Sequence, residues 1–410
     1  MFRATAFILL AASLAASAVV SSGAPYHPED HPAVALFKRQ GSGATAPVGS
    51  PEWKAKYPQG PIAGTPVPAA WLTAYDNAVK AGKIPQLAPS VMENGNPTYP
   101  GMDPMSPEIR SATYQARGDD TIEKWDAPAN TVVVSFDDGP IANSSATLYD
   151  FLQTNNQSAT HFFIGSNILE NSDLAMQAFA DPNQQIGVHT WTHPYLTSLS
   201  DHDVVVELGW TMQIIHDLTG GRVPSAMRPP YGDIDERVRA IAAHVFGKTI
   251  YIWNFDTDDW KIGEVEGVTQ DGCYQKLIQW YGGAQNPGLM ILEHELSQGS
   301  VQAFIDSYPT LKQHNWIAKN AGNAYDKPWY LNSVNNTAPV ISLDVAAPAS
   351  SIVPSPTAAA PATPSNATST KTGATASATH GTTHNGAAGN GVSASFGAIA
   401  AFACAAFALL

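Results

Sequence analysis

The chain has 410 residues, of which 44% are hydrophobic, and its 35 acidic against 21 basic side chains give a formal net charge of −14 at pH 7. This length allows one large domain of about 200 residues together with terminal segments of other kinds. The negative charge argues against nucleic acid and against an anionic membrane surface as partners. No sequence feature indicates an obligate protein partner.

The N-terminus has the pattern of a secretory signal peptide. Arg3 precedes an apolar run from Ala6 to Ala16, and Ala16-Ser17-Ala18 offers a small-residue cleavage site. The run is too short to span a bilayer, so residues 1–18 are predicted to be removed during secretion. Lys38-Arg39 is a dibasic pair at which residues 19–39 would be released as a pro-segment.

The C-terminus has the composition of a stalk followed by a lipid-attachment signal. Residues 336–390 are predicted to form a disordered stalk, since from Pro348 to Thr383 small and polar residues dominate and offer little surface to bury. Residues 391–410 end in an apolar run and are predicted to be the removed tail of a GPI signal. The alternative is a tail anchor, which about 15 apolar residues without flanking basic residues would form poorly. Attachment is predicted at Asn385 or at a nearby small residue, namely Gly386, Ala387, Gly389 or Asn390.

Sequons and cysteines agree with secretion and with a GPI-anchored location at the outer face of the plasma membrane or in the cell wall. N-glycosylation is predicted at four Asn-x-Ser/Thr sites, Asn143, Asn156, Asn335 and Asn366. Of the two cysteines, Cys404 lies in the removed tail, which leaves Cys273 unpaired. The mature domain is therefore predicted to lack an internal disulfide, which a large core can tolerate.

Two regions remain between these ends. Residues 40–125 are rich in Pro and Gly and are predicted to form an irregular N-terminal extension that packs on the next domain, with one helix over 69–80. Residues 126–335 alternate apolar β-rich runs with helical stretches, which is typical of parallel strands joined by crossover helices in an α/β fold. Strands are predicted at 132–136, 161–164, 185–188, 250–253 and 289–292, and helices at 146–153, 204–218 and 234–245. In α/β barrels, functional side chains gather at the C-terminal ends of the strands.

The ends of two predicted strands carry residues suited to binding a metal ion. The first strand ends in Asp137-Asp138-Gly139-Pro140, which is also compatible with an ordinary acidic turn. The third is followed by His189 and His193, and two His residues four positions apart on a helical turn can share one ion. With Asp138 as third ligand this gives a His₂Asp set with an open coordination position, as catalytic zinc sites require. Asp137 is then free to act as a base.

Three further polar segments follow in order. Two prolines fix the backbone of Arg228-Pro229-Pro230-Tyr231, so the Arg228 side chain and the Tyr231 amide should point in defined directions. The segment Asp256-Thr257-Asp258-Asp259-Trp260 follows another strand, and Leu292-Glu293-His294 ends the last one. Each segment alone has a structural explanation, as a stiff turn or a satisfied polar residue. Five such segments in order, most of them at a predicted strand end, indicate one active site.

These five segments resemble the five ordered motifs of the polysaccharide deacetylases (carbohydrate esterase family 4), and they are most similar to those of fungal chitin deacetylases. The similarity covers residues 126–320. It implies a distorted (β/α) barrel with seven or eight repeats. It also implies one divalent ion, zinc with cobalt as an alternative, bound by Asp138, His189 and His193.

The resemblance also assigns roles to the remaining motif residues. Asp137 would be the general base, and Arg228 would hold it. His294 would be the general acid, and Asp256 would orient its ring. Substrate would be contacted by the Tyr231 backbone N–H at the oxyanion and by Trp260 and Leu292 around the acetyl group.

The implied reaction is hydrolysis of the N-acetyl groups of N-acetylglucosamine units in chitin, which gives chitosan and acetate at the cell wall. One alternative is an esterase for O-acetyl groups of another wall polysaccharide. A second is a non-catalytic chitin-binding wall protein. The intact Asp137 and His294 argue against the second alternative, because binding alone needs neither a base nor an acid.

Overall fold

The computed structural model describes residues 46–62 and 65–340, together with residues 33, 36 and 37 and the strand Ile352–Val353. The predicted signal peptide, most of the pro-segment and stalk, the GPI tail with its attachment residues, and Asn366 lie outside the described residues. Within the described part of the chain, no helix is both long and apolar enough to cross a membrane.

The N-terminal extension contains short elements around one longer helix. The predicted helix over 69–80 is present with the same bounds. In order, the elements are α1 (Pro51–Lys54), β1 (Val67–Pro68), α2 (Ala69–Lys80), β2 (Val91–Glu93) and β3 (Asn96–Thr98).

Ten of the remaining strands form two parallel sheets. They are β4 (Glu123–Lys124), β5 (Thr131–Val133), β6 (Ser135–Asp137), β7 (Ala159–Phe163), β8 (Gln184–Val188), β9 (Ala226–Met227), β10 (Thr249–Tyr251), β11 (Phe255–Asp256), β12 (Leu289–Leu292) and β13 (Ile317–Lys319). One sheet has the order β4-β10-β9-β8-β7-β6 and the other β11-β12-β5-β13. All five predicted strands are present.

Two chain segments pass from one sheet to the other and so join them into a distorted barrel. Between β5 and β6, Val134 donates its N–H to Lys319 and accepts from Thr160, which belong to different sheets. Between β10 and β11, Ile252 donates to Lys124 and Asn254 donates to Met290. The predicted α/β class with a distorted barrel is therefore confirmed.

Helices follow most strands and cover the outside of the barrel. The three predicted helices, at 146–153, 204–218 and 234–245, are present with bounds that differ by a few residues at most. The helices are α3 (Ser145–Thr154), α4 (Gly165–Glu170), α5 (Ser172–Ala180), α6 (Asp201–Leu218), α7 (Glu236–His244), α8 (Gln270–Tyr281), α9 (Gln298–Gln313) and α10 (Ala321–Ala324). Side chains of β7, β8 and β12 are buried throughout, as expected for strands covered on both faces.

The extension packs against α6 through aromatic side chains. Trp71 of α2 is fully buried, and its ring lies edge to face with Trp210 at a centroid distance of 5.3 Å. Gly209 lets the Trp71 ring approach the helix backbone, because a Cβ at position 209 would overlap that ring. Earlier in the extension, the Tyr57 hydroxyl donates to Asp217 near the end of α6 at 2.7 Å.

Two predicted domain boundaries need correction. β4 pairs with β10 inside the barrel sheet, so the barrel begins before residue 126. At the other end, Asn336 is buried and its amide donates to the carbonyls of Phe179, Asp181 and Gln184, so the stalk cannot begin at 336. The strand Ile352–Val353, here β14, also pairs antiparallel with β1.

We expect Gly209→Ala to lower the free energy of unfolding by about 1–3 kcal/mol, the usual cost of overpacking a core. Alanine stabilises a helix more than glycine does, so a loss of stability in this variant would arise from the contact with Trp71. Chemical denaturation followed by tryptophan fluorescence measures the change.

Gly60→Ala is the matched control, because a Cβ at position 60 meets no atom within 4 Å. This variant should unfold like the parent protein. Equal stability of the Gly209→Ala variant and the parent would show that the extension is not held tightly on α6.

Candidate active site

The five segments identified in the sequence meet at one edge of the barrel. Asp137 ends β6, and His189 directly follows β8. Arg228 directly follows β9, and His294 lies two residues beyond β12. Asp137 and His294 are paired across a parallel bridge, so their side chains stand on neighbouring strands at the C-terminal rim. This is the edge at which parallel α/β barrels carry their functional groups.

Asp138, His189 and His193 offer ligand atoms that all lie within 4.8 Å of one another. The Nε2 atoms of both histidines are 3.2 Å from Asp138 Oδ1. Two ligand atoms bound tetrahedrally to zinc at about 2.0–2.1 Å would be roughly 3.3 Å apart. The observed spacing therefore fits a single small ion.

The protonation and hydrogen bonding of the three side chains also suit a metal ion. Asp138 Oδ1 is buried and has no hydrogen-bond partner. His189 Nδ1 lies 2.7 Å from the Arg228 carbonyl, which can only accept, so Nδ1 carries the proton and Nε2 presents its lone pair. A hydrogen bond from the other ring nitrogen to a backbone carbonyl is typical of metal-binding histidines.

Burial raises the pKa of Asp138, but the nearby His193 and His189 outweigh this effect and hold it well below its usual range. The carboxylate is therefore ionised and ready to bind a cation.

Asp137 is buried beside this set and is held by Arg228. The Arg228 guanidinium donates to Asp137 Oδ1 at 2.8 Å and to Ser135 Oγ at 2.9 Å. Arg228 itself is fully buried, with its guanidinium carbon 4.5 Å from the centre of the Phe162 ring. The second oxygen of Asp137 lies 3.8 Å from His189 Nε2, so this carboxylate points toward the predicted metal site.

The expectation that Asp256 orients His294 is wrong. Asp259 does so instead, with Oδ1 at 2.6 Å from His294 Nδ1 and Oδ2 accepting the His294 backbone N–H at 2.8 Å. Asp256 accepts the backbone N–H of Asp258 at 2.7 Å and so closes a turn. Asp258 adopts a left-handed φ of 60°, and this turn places Asp259 against the histidine.

His294 is set up to carry a proton. Burial lowers its pKa, but the adjacent Asp259 carboxylate, together with Asp138 and Asp137, raises the pKa of His294 to about 10. With Nδ1 bonded to Asp259, Nε2 remains as the nitrogen that can face a reacting group.

Left-handed backbone conformations are concentrated at the site. Five non-glycine residues of the motifs have φ between 59° and 69°, namely Asp138, Thr190, His193, Tyr231 and Asp258. Such residues are uncommon and persist where surrounding contacts fix them, which is frequent in active sites.

The three predicted substrate-contacting residues also lie at this edge. Leu292 ends β12 and is buried, and Trp260 is half-buried with Lys261 Nζ 4.7 Å from its ring centre. Tyr231 is 49% exposed, and its ring stacks on Tyr195 at 4.0 Å with an interplanar angle of 9°. Their roles toward a substrate stay predictions.

One supporting residue had no role in the sequence-based interpretation. The buried Glu295 carboxylate accepts hydrogen bonds from Ser145 and from the Tyr149 hydroxyl at 2.7 Å, and it lies 2.5 Å from His161 Nδ1. The Glu295 backbone N–H donates to the Asp137 carbonyl at 3.0 Å. Glu295 thereby ties the strand end that carries His294 to the strand end that carries Asp137. No motif signal in a single sequence could have shown this.

Three of the predicted glycosylation sites lie among the described residues. Asn143 and Asn156 are exposed, and Asn335 is half-buried. The sequon of Asn143 ends at Ser145, which is fully buried at the start of α3. Asn366 lies outside the described residues, and glycosylation at all four positions stays a prediction.

Comparisons with known proteins agree on one group of enzymes. A protein-family model described as polysaccharide deacetylase matches residues 124–246. Chitin deacetylase 3 of Cryptococcus neoformans is 38% identical over 331 residues, which cover 77% of this chain and 77% of that protein. Chitin deacetylase of Amylomyces rouxii is 34% identical over 263 residues, 60% of each chain. The solved chitin deacetylase of Colletotrichum lindemuthianum gives a TM-score of 0.46 at 24% identity, covering 51% of this chain and 94% of that one.

We expect the His294 imidazole to stay protonated at pH 8 in the metal-free protein and to become neutral there in Asp259→Asn. In the folded protein the pKa of His294 exceeds the unfolded value of about 6.5. Protonated His294 therefore stabilises the fold fully below about pH 6.5, and this contribution is lost as the pH rises through about 10. Asp259 contributes most to raising this pKa, so without its charge the lowering by burial outweighs the smaller effects of Asp138 and Asp137. Imidazole nitrogen shifts in NMR spectra, recorded with a chelator present, report the protonation state.

Asp256→Asn is the matched control, because the Asp256 carboxylate bonds to the backbone of Asp258. This variant should leave His294 protonated at pH 8. A neutral His294 in both variants, or in neither, would contradict the assignment of Asp259 as its partner.

Proposed function

Because the chain belongs to the polysaccharide deacetylase family, we propose that it hydrolyses the N-acetyl groups of N-acetylglucosamine units in chitin. The products are acetate and chitosan. The observation that carries the proposal is the meeting of a His₂Asp set with a carboxylate held by Arg228 and a histidine held by Asp259. The names of the relatives support chitin as the substrate.

Asp138, His189 and His193 would hold one divalent ion, which we propose to be zinc, with cobalt as an alternative. Such an ion supplies Lewis acidity, lowering the pKa of water toward neutrality and polarising an acyl oxygen. The chain contributes a preformed and largely buried set of ligands, in which the Arg228 carbonyl fixes the orientation of His189.

Asp137 would take the proton from the attacking water. Its backbone is fixed on both sides, since its N–H donates to Glu293 and its carbonyl accepts from Glu295. Arg228 occupies one carboxylate oxygen, which leaves the other available to the water. This arrangement positions a general base within the site.

His294 would donate the proton that the departing amine needs when the carbon–nitrogen bond breaks. An amine is a poor leaving group, so this proton is essential to amide hydrolysis. Asp259 keeps the ring oriented and stabilises its protonated form. The acid and the base then belong to adjacent strands and have separate charged partners, Asp259 for His294 and Arg228 for Asp137.

The remaining roles concern the acyl group. The Tyr231 backbone N–H would stabilise the negative oxygen of the tetrahedral intermediate, to which one such donor contributes roughly 3–4 kcal/mol. Leu292 and Trp260 would enclose the acetyl methyl. We further propose that the protein is secreted, anchored by GPI at the plasma membrane or cell wall, and acts there on chitin.

We expect the full chain, produced in a eukaryotic secretory host, to release acetate from chitin oligomers in the presence of zinc. A chelator should abolish release, and added zinc should restore it. Asp137→Asn removes the proton acceptor but keeps the shape of the side chain, and it should lower kcat by about 10²–10⁴-fold. Acetate is measured by a coupled enzymatic assay.

Glu52→Gln serves as a control for a change of charge, because Glu52 is exposed on α1. It should match the parent protein. Release only from O-acetylated polysaccharides would replace chitin by an ester substrate. Binding to chitin without acetate release under any condition would support the non-catalytic wall protein.

A further inference from the structure

The two histidines of the predicted metal set are joined by a short turn whose conformation is unusual. Thr190 and His193 have left-handed φ angles of 65° and 60°. The turn has one hydrogen bond of its own, from His193 N–H to Thr190 Oγ1 at 3.1 Å. The backbone of Thr190 and His193 therefore depends on outside contacts to keep this shape.

A carboxylate from α6 supplies three of those contacts. Glu207 is fully buried, and its Oε2 accepts the backbone N–H groups of Trp191 at 2.7 Å and of Thr192 at 2.9 Å. Its other oxygen accepts the Thr192 hydroxyl. Three donors of the turn thus converge on one side chain of a neighbouring helix.

The opposite side of the turn is closed by packing. Trp191 is 1% exposed, and a Cβ on Gly165 would overlap its ring. Tyr57 of the N-terminal extension stacks near that ring at 6.1 Å with an interplanar angle of 22°. The turn is held by this apolar contact, by the N–H groups of Gly165 and Ser166, which donate to its Thr190 and Trp191 carbonyls, and by the Glu207 carboxylate.

A buried carboxylate is costly, and an apolar side chain at the same place would avoid that cost. Its hydrogen bonds go to the turn that carries both metal-binding histidines. We propose that Glu207 is a positioning residue of the metal centre: it fixes the turn so that His189 and His193 face Asp138 before an ion arrives. The inference rests on the metal site of the proposed function.

The test measures the zinc dissociation constant of the folded protein by competition with a chromogenic chelator. Glu207→Leu roughly keeps the volume but removes the acceptor, and it should weaken zinc binding by about 10–100-fold, as loss of a residue that supports metal ligands does. Glu207→Gln retains a carbonyl oxygen for the two N–H groups and should restore most of the affinity. Circular dichroism establishes that each variant is folded at the temperature of measurement.

Leu208→Ala is the matched control, because Leu208 is the next residue of α6, is buried, and would lose core packing without touching the acceptor. It should lower the melting temperature and leave the zinc dissociation constant unchanged. Two further variants cover the case in which Glu207→Leu does not fold. Glu207→Asp withdraws the carboxylate by one methylene, and Thr192→Val removes one exposed donor, so each should weaken zinc binding by about 3–10-fold.

An unchanged dissociation constant in folded Glu207→Leu, or in both Glu207→Asp and Thr192→Val, would overturn the inference. Equal weakening in Leu208→Ala would do so too, since the effect would then be general loss of stability. Asp138→Ala separates this result from the proposed function. If the parent binds zinc no better than Asp138→Ala, the metal site itself fails, and if only the Glu207 series is unaffected, the positioning role alone fails.

Discussion

The buried ion pair between Arg228 and Asp137 is the interaction on which the site depends most. The buried guanidinium of Arg228 needs acceptors inside the barrel, and its three nitrogens donate to Asp137, Ser135 and the Tyr251 carbonyl. The Arg228 carbonyl in turn accepts a hydrogen bond from His189 Nδ1. One residue thereby couples the proposed base to the proposed metal ligands. Removing either partner of such a pair leaves an isolated buried charge, which costs about 3–5 kcal/mol.

The same principle recurs at the other functional groups, since each is held by an acidic or polar neighbour that is itself buried. Asp259 bonds to both the ring and the backbone of His294, and Glu207 accepts from the turn between the two histidines. Apolar residues at the same positions could make the protein more stable than these buried carboxylates do. In exchange they fix directions, because a charge-assisted hydrogen bond tolerates far less displacement than an apolar contact.

The strands, the main helices and the meeting of five segments could be predicted because a parallel strand buried on both faces leaves a plain apolar signature that ends where the polar residues begin. The sequence could not show which of the three aspartates between 256 and 259 bonds to His294, because the choice depends on the left-handed turn at Asp258. The role of Glu207 could not be predicted either, because in the sequence it resembles any solvent-exposed acidic residue on a helix. The predicted stalk boundary failed for a similar reason, because Asn336 gains its partners only after folding.

The burial of Ser145 has a bearing on the biogenesis of the protein. Attachment of a glycan at Asn143 requires the hydroxyl of Ser145 to be accessible, yet in the fold that hydroxyl donates to Glu295 and accepts from the Ile141 N–H. The predicted modification at this position would therefore have to occur on the nascent chain, before the first turn of α3 docks against the end of β12. If the chain is secreted as proposed, glycan occupancy at Asn143 would record how quickly that part of the barrel closes relative to translocation, whereas the exposed site at Asn156 would carry less of this information.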